Sequence, residues 1–364
     1  MRLVTLALRN YRNYSRLDIE LSPRLNVFLG QNAQGKTNLL EAVSLLALSS
    51  SQRARRESEL VGALGAEARI EAVAERHGRQ VEMAINLAVI AGESDRTSKT
   101  IRIDGQPRRA VDLPGELRAT LFWPEDLNLI KGGPEHRRRF LNQMLVQVEK
   151  GYGRALAGYR RVLEQRNSLL KRIAAGQEPA SALDVWDVEL ARHGEEILTA
   201  RRAAAIEMAP LAAANHDAIA AGESLRLQYE APDTSLAEQL LAARGDDLRR
   251  GSTSVGPHRD DLRVEVAGSD ARSFASQGQQ RSAVVSLKLA EADLVEARSG
   301  ERPILLLDDV LSELDGERRS ALLARVGDRG QVIVTSVEAE PFPPELIERA
   351  VVRCISAGQV GSCA

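Results

Sequence analysis

Cysteine is nearly absent from this 364-residue chain: Cys354 and Cys363 are the only two, both close to the C-terminus. They have no metal-ligand spacing and are too few for a disulfide framework, so a zinc module and a cystine-stapled secreted fold are excluded, and a reducing, cytoplasmic setting is expected. Aromatic residues make up only 3% of the chain. Trp123, Trp186 and the five tyrosines are scattered, which argues against a platform for stacking unpaired bases. Long apolar runs are missing as well. The opening stretch Met1–Arg9 is too short for a signal h-region and nothing further on would span a bilayer, so a soluble, unexported protein is expected. The formal net charge is only −2, so nucleic-acid binding, if present, must come from a local patch.

What the chain does have is a pair of phosphate-chemistry motifs at opposite ends. Gly30-Gln31-Asn32-Ala33-Gln34-Gly35-Lys36-Thr37 follows the apolar run Leu25–Leu29 and precedes Leu39, Leu40, Val43, Leu46 and Ala47 at helical spacing. It is therefore a strand-to-helix turn, the context a P-loop requires. Its glycines let backbone N–H groups curl around phosphate oxygens, while the helix N-terminus adds positive potential. Lys36 is placed to reach the β- and γ-phosphates of ATP, and the Thr37 hydroxyl to meet Mg²⁺. The second motif, Ile304-Leu305-Leu306-Leu307-Asp308-Asp309, is a buried strand ending in two carboxylates. Asp308 is the candidate Mg²⁺ ligand, acting through water, and Asp309 the candidate that polarises the attacking water. Taken alone, this motif fits a strand entering an acidic turn equally well. Ser312-Glu313-Leu314-Asp315 follows directly, as a D-loop does, and favours the catalytic reading; Asp309 and Lys36 are then the catalytic candidates.

A third element, Ser276-Gln277-Gly278-Gln279-Gln280-Arg281, opens another apolar helical pattern. By itself it is a capped surface helix with Ser276 as N-cap. Beside the other two motifs it is similar to an ABC signature, in which Ser276, Gly278 and Gln279 would contact the γ-phosphate of a nucleotide held by another subunit. The wide separation of the first two motifs means that one nucleotide-binding head is split by a large insertion, as in ABC/SMC-type ATPases. The expected fold is α/β: a split P-loop ATPase head of ABC type carrying an inserted, mostly α-helical lobe. Residues 1–123 form the first half of the head, with strands at Leu3–Leu8, Leu17–Leu21, Val81–Ile90 and Thr100–Ile103, the last entering an Asp104-Gly105 hairpin turn. Residues 124–250, rich in Ala, Leu, Arg and Glu, form the lobe, where strand signals almost vanish. Residues 251–364 complete the head, with strands at Leu262–Val266, Ile304–Leu307 and Gln331–Thr335 and a short mixed segment from Pro341. Apolar heptads are not sustained and no repeat is visible, so the insertion is not a long coiled coil.

Longer segments carry a family resemblance. Asn10-Tyr11-Arg12-Asn13-Tyr14, Gly35-Lys36-Thr37-Asn38-Leu39-Leu40-Glu41-Ala42, the run from Pro124 to Asn142, Gly256-Pro257-His258-Arg259-Asp260-Asp261-Leu262 and Leu307 to Asp315 resemble, in order and over nearly the whole chain, the RecF recombination-mediator family. The resemblance implies a slow, DNA-stimulated ATPase that dimerises on ATP and senses gapped or single-strand/duplex junction DNA. It also implies work with RecR and RecO to place RecA on covered single strands, and adds Arg12, Asn13 and Asn38 to the nucleotide contacts. Departures are Ala33, where the family often has glycine, and Ser49-Ser50-Ser51-Gln52-Arg53, so no catalytic arginine is assigned among Arg53, Arg55 and Arg56. Thr335-Ser336 stands where transporters carry a switch histidine, and slow hydrolysis is expected.

Charge is distributed unevenly. Residues 131–172 carry eleven Lys/Arg and three Asp/Glu, a net +8, leaving −10 for the remainder. A helix over 150–173 would place Leu156, Tyr159, Leu163, Leu170 and Ile173 on one side and Lys150, Arg154, Arg161 and Arg172 on the other. These four and Arg137, Arg138 and Arg139 are the candidate DNA contacts, with a solvated face, or head-to-lobe ion pairs for Arg137–Arg139, as the competing readings. Asp260 and Asp261 point apart in a strand approach and do not suggest a shared metal. The competing functions are a transporter-type nucleotide-binding subunit, which would need a membrane partner, and an SMC-like DNA organiser, which would need the missing coiled coil.

Overall fold

The computed structural model describes residues 1–90, 93–326, 330–339 and 342–363; Pro341 and the Glu313 side chain lie outside the described residues. The chain opens with β1 (Arg2–Tyr11) and β2 (Tyr14–Glu20), turning at Arg12-Asn13, and continues through β3 (Leu25–Leu29) into α1 (Lys36–Leu48). A meander follows: β4 (Glu67–Arg76), β5 (Arg79–Ile90), β6 (Glu93–Ile103) and β7 (Gln106–Arg108). Alternate residues of β4 and β5 are buried, as a sheet with one covered face requires. Asp104 and Gly105 between β6 and β7 both have positive φ, 49° and 74°, which a two-residue hairpin of this hand demands. These strands form an antiparallel sheet in the order β2-β1-β4-β5-β6-β7.

The second sheet collects strands from both ends of the chain. With β8 (Ala119–Phe122), β12 (Ile304–Asp308), β13 (Val332–Ser336), β14 (Val351–Ser356) and β15 (Gln359–Gly361), its order is β15-β14-β3-β13-β12-β8. All pairings except β14–β15 are parallel. β12 and β13 are buried at every residue, because helices cover both faces. α1 packs between the two sheets: Leu39, Leu40, Val43 and Leu46 join Leu6, Ile70, Leu306 and Ile333 in one core. On the opposite face Val27, Leu305, Leu307 and Val334 meet apolar residues of two later helices introduced below.

Between β8 and β12 the chain forms α2 (Asn128–Lys131), α3 (Pro134–Val148), α4 (Tyr152–Ala174), α5 (Leu183–Ile219) and α6 (Leu236–Arg250). The short α7 (Ala271–Phe274) and the long α8 (Gln277–Ser299) follow, then α9 (Gly316–Val326) and α10 (Pro344–Glu348) later in the head. The second face of the parallel sheet is covered by Val285 and Leu289 of α8 and Leu322 of α9. The lobe is not purely helical. β9 (Leu225–Glu230) pairs antiparallel with β10 (Asp261–Val266), which pairs with β11 (Ser269–Asp270). The strand at Leu262–Val266 thus forms as expected from the sequence, but in this small third sheet rather than in either head sheet.

The cysteines also depart from expectation. Cys354 on β14 and Cys363 beyond β15 are disulfide-bonded, because the antiparallel β14–β15 hairpin brings the two ends of a nine-residue separation side by side. No helix among the described residues is long and apolar enough to cross a membrane.

Buried charge ties the lobe together. Arg166, fully buried on α4, bonds Asp187 at 2.6 Å, Asp247 at 2.8 Å and the Thr253 hydroxyl at 2.8 Å. His258 accepts from the Tyr159 hydroxyl at Nδ1, 2.7 Å away, and donates from Nε2 to the Thr253 carbonyl at 3.2 Å. That pair of partners fits a neutral ring. Burial, reinforced by Arg259 and Arg138, holds its pKa down to about 4 against the ordinary 6.5, while the Thr253 bond and Asp247 pull the other way. An unfolded chain therefore takes up this proton below about pH 6.5 and the folded chain does not until about pH 4. The His258 contribution is complete above pH 6.5 and is lost as pH falls through that window, by at most about 1.4 kcal/mol per pH unit. His258→Asn is expected to shrink the fall in denaturant midpoint between pH 7 and pH 5; an equal fall in both proteins would show that His258 does not carry it.

Candidate nucleotide site

The parallel register explains why residues from the two chain ends meet. β3 lies beside β13, and β13 beside β12, so the P-loop after β3 and the carboxylates after β12 emerge at the same sheet edge, where open α/β sheets bind ligands. Thr37 Oγ1 donates to Asp308 Oδ2 at 2.8 Å, and Thr335 Oγ1 donates to Asp308 Oδ1 at 2.7 Å. Asp308 is buried, which pushes its pKa up, while these two hydroxyl bonds and the nearby Arg53 act against the shift. Lys36 is buried and its Nζ donates to the carbonyls of Gly30 and Gln31. Burial lowers its pKa, and Asp309 and Asp308 oppose that shift.

The loop itself is built for an anion. Gly35, at φ 118°, caps α1 without any side-chain bond, and no acidic residue occupies the first turn. The first N–H groups of a 13-residue helix are thus left to whatever sits before them. Ala33 takes φ 64°, a left-handed conformation that alanine adopts at some cost and that glycine would hold without strain. Gln31, Asn32 and Ala33 are exposed, and Gln34 is clamped from outside. Gly358 N donates to the Gln34 carbonyl at 3.0 Å and Ala357 N to its Oε1 at 2.6 Å. The cross-linked β14–β15 hairpin is therefore the outer wall of the P-loop.

For Mg²⁺ the donor set fits: a threonine hydroxyl and a carboxylate in direct contact are hard oxygen ligands, and Mg²⁺ takes one or two of these beside phosphate oxygens and water. No cluster of three or more His, Cys, Asp or Glu suited to a metal occurs among the described residues. Held by Thr37 and Asp308, Mg²⁺ would supply positive charge against the negative charge that develops on the phosphates. Asp309, in a left-handed conformation at φ 53°, is half-buried, and its Oδ1 has no hydrogen-bond partner among the described residues. An unpartnered carboxylate oxygen beside Lys36 and Asp308 is where an attacking water would find an acceptor.

Other sequence candidates fall around this centre in different ways. Asn13 Nδ2 donates to the Gln34 carbonyl at 2.9 Å and Asn38 Nδ2 to Asn13 Oδ1 at 2.8 Å, so both brace the loop. Arg12 makes two 2.9 Å bonds to buried Glu41 on α1 and one to the Glu59 carbonyl, and must exchange a partner to reach a phosphate. Arg53 bonds Asn38 at 3.1 Å and lies 5.8 Å over the Trp123 ring. Sequence reasoning left Arg53 unassigned and noted Thr335 only as standing where transporters carry a switch histidine, not as the partner of Asp308; the apolar run Val332–Val334 that puts Thr335 near a strand end was a further signal.

Ser276, Gly278 and Gln279 stand apart from this group. Ser276 is exposed and closes a capping box, accepting from Gln279 N at 3.3 Å and donating from its own N to Gln279 Oε1 at 2.9 Å. Arg318 of α9 donates to Ser282 at 2.6 Å and pairs with Asp315, which ties the start of α8 to the segment after β12. Phe274, just ahead of Ser276, is 76% exposed. No hydrogen bond or ion pair joins Ser276, Gly278 or Gln279 to Lys36, Thr37, Asp308 or Asp309 among the described residues.

The candidate DNA residues separate as well. Arg137 is buried, with two 2.7 Å bonds to Asp261 and further bonds to the carbonyls of Leu129 and Gly132, which removes it from any DNA surface. Its partner lies 124 residues on, out of reach of local sequence reading. Arg138 donates to the Asp260 carbonyl at 2.6 Å and is half-buried. Arg139, Lys150, Arg154, Arg161 and Arg172 are exposed.

Residues 2–350 match the RecF/RecN/SMC N terminal domain model. Over 99% of both chains the protein is 39% identical to the DNA replication and repair protein RecF of Heliobacterium modesticaldum, and over 98% of both it is 40% identical to that of Chloroflexus aurantiacus. A solved structure of the recombination mediator protein RecF with ATP, in the RecFOR pathway, superposes with a TM-score of 0.89 at 29% identity, covering 100% of this chain and 97% of that one. An SMC head bound to the C-terminal winged-helix domain of ScpA superposes at 0.58 with 14% identity over 100% and 98% of the two chains, and shares the fold. Full-length relatedness on that scale, on a split head of this topology, places the chain in the RecF family of SMC-type ABC ATPases.

Proposed function

We propose that this chain is an ATP-dependent DNA-binding recombination mediator whose nucleotide site is completed only in a dimer. The observation that carries this reading is the division of the site. Lys36, Thr37, Asp308 and Asp309 assemble one half, whereas Ser276 is exposed on its own capped helix. A second copy presenting Ser276, Gly278 and Gln279 to a bound γ-phosphate would close the site and cover Phe274. ATP with Mg²⁺ is then the glue of the dimer, and slow hydrolysis, with Asp309 polarising the water and Lys36 holding the phosphates, releases it. DNA is held by the lobe's basic residues Arg138, Arg139, Lys150, Arg154, Arg161 and Arg172. Residues 124–250, together with β10 and β11, make the lobe. Resemblance to the RecF family extends this reading to gapped or junction DNA as substrate and to RecO, RecR and RecA as partners in repair and replication restart.

Sizing the protein with ATP, ADP or no nucleotide, with and without gapped duplex, tests the reading. A dimer is expected with ATP only, and Lys36→Met should remain monomeric; a wild-type monomer at saturating ATP in the presence of DNA would overturn it.

Asp309→Asn separates binding from hydrolysis. Lys36, Thr37 and Asp308 should still hold Mg·ATP, while single-turnover hydrolysis falls on the order of 10²-fold or more and the ATP-bound dimer persists longer on DNA. An unchanged single-turnover rate would remove Asp309 from the chemistry.

A further inference from the structure

The Ser49–Arg53 stretch departs from the family pattern, and the function proposed above gives most of it no task. It forms one wall of a cleft of about 450 Å³ at the seam between head and lobe. The opposite wall is α3 and α4, which contribute Arg139, Asn142, Gln143 and Arg160. Among the described residues, Arg139 and Arg160 are the only charged ones lining this cleft, and no carboxylate borders it. Both are exposed, and neither has a hydrogen-bond or ion-pair partner among the described residues. Arg139 also borders a second cleft of about 450 Å³ beside Arg53 and His136, and a third of about 230 Å³ beside Arg138 and Arg201. Arg139 thus lines all three hollows, of which the second also holds Glu59, Glu125 and Asp126 and the third Glu135, so the first is the one without carboxylates.

A second observation is independent of the arginines. Ser49, only 8% exposed, lines the same cleft, and its hydroxyl has no hydrogen-bond partner among the described residues. The Ser49 hydroxyl is itself closed off from solvent, so the neutral polar groups that the cleft offers are the exposed Ser50 hydroxyl and the half-buried amides of Gln52, Asn142 and Gln143. The carboxyl end of α1 at Ser49 brings a negative potential of about half a charge, which two full guanidinium charges outweigh. No aromatic residue among the described ones lines the cleft, so none of them stacks a base there. Isolated cations, hydroxyl and amide groups without carboxylates match a sugar–phosphate backbone.

We propose that this seam cleft receives the backbone of duplex DNA, with Arg139 and Arg160 each meeting one phosphate. The inference rests on the DNA-binding reading above and adds a footprint separate from the outer face of α4. It also places DNA against the far end of the helix whose first residue is Lys36, so occupancy of the cleft bears on the P-loop helix directly.

The test is duplex affinity in ATP, by fluorescence anisotropy over a potassium chloride series, for the wild type and for Arg139→Ala/Arg160→Ala. Each lost phosphate contact removes about 0.9 from the slope of log affinity against log salt, so the double variant should be flatter by roughly 2, and each single variant by about 1. Arg139→Lys/Arg160→Lys should keep the wild-type slope, and thermal midpoint and ATP-driven dimerisation should be unchanged in all variants. Duplex binding by the wild type with an unchanged slope in the alanine variants would overturn the cleft and remove Arg139 from the DNA contacts named above, while leaving an ATP-dependent DNA-binding mediator standing. No duplex binding by the wild type would overturn both.

Discussion

One contact holds the two ends of the chain to a single chemistry: the Thr37 hydroxyl on Asp308, across 271 residues of sequence. Thr335 completes it from the strand that separates β3 from β12. Asp308 and Thr335 come from two adjacent parallel strands and Thr37 from the first turn of the helix that follows the third, so the site depends on the register of the sheet as well as on the loop after β3. Parallel pairing of Thr335 with both Phe28 and Asp308 fixes that register. A one-residue slip would turn the carboxylate to the other face of the sheet.

The same sheet constrains everything around the site. α1 is buried between two sheets, so its N-terminus cannot tilt toward a phosphate, and the phosphate must come to it. The β14–β15 hairpin fixes Gln34 from outside, and Asn13 braces the loop from the β1–β2 turn. This bracing suits the half-site proposed above. The lobe has its own frame of buried arginines, Arg137, Arg166 and Arg201, each with carboxylate partners. Breaking any of these pairs would strand an uncompensated buried charge, about 3–5 kcal/mol in typical cases.

Features carried by local pattern could be read from the sequence, and features carried by distant partners could not. The P-loop, the strand ending at Asp308 and the Asp104-Gly105 turn announce themselves through glycine, apolar runs and spacing, and all three form. β4 and β9 were missed because most of their residues are Ala, Glu and Arg in the first and Leu, Arg, Gln and Glu in the second, types that also suit helices. Charge runs were the least legible. Arg137, Arg138 and Arg139 are adjacent, yet one is a buried ion-pair partner, one is half-buried and one stands open at the seam. The cysteine pair failed for a related reason, since only the hairpin that joins them makes them neighbours.

The central claim is that each nucleotide is held by the Lys36 side of one copy and the Ser276 side of another. Mixing two inactive proteins tests it most directly, because a heterodimer of Lys36→Met with Ser276→Arg keeps one intact composite site. Neither variant alone should hydrolyse ATP in the presence of DNA, and the mixture should recover activity as heterodimers form. Activity of Ser276→Arg alone, or a mixture as inactive as its components despite verified heterodimer formation, would contradict the shared site.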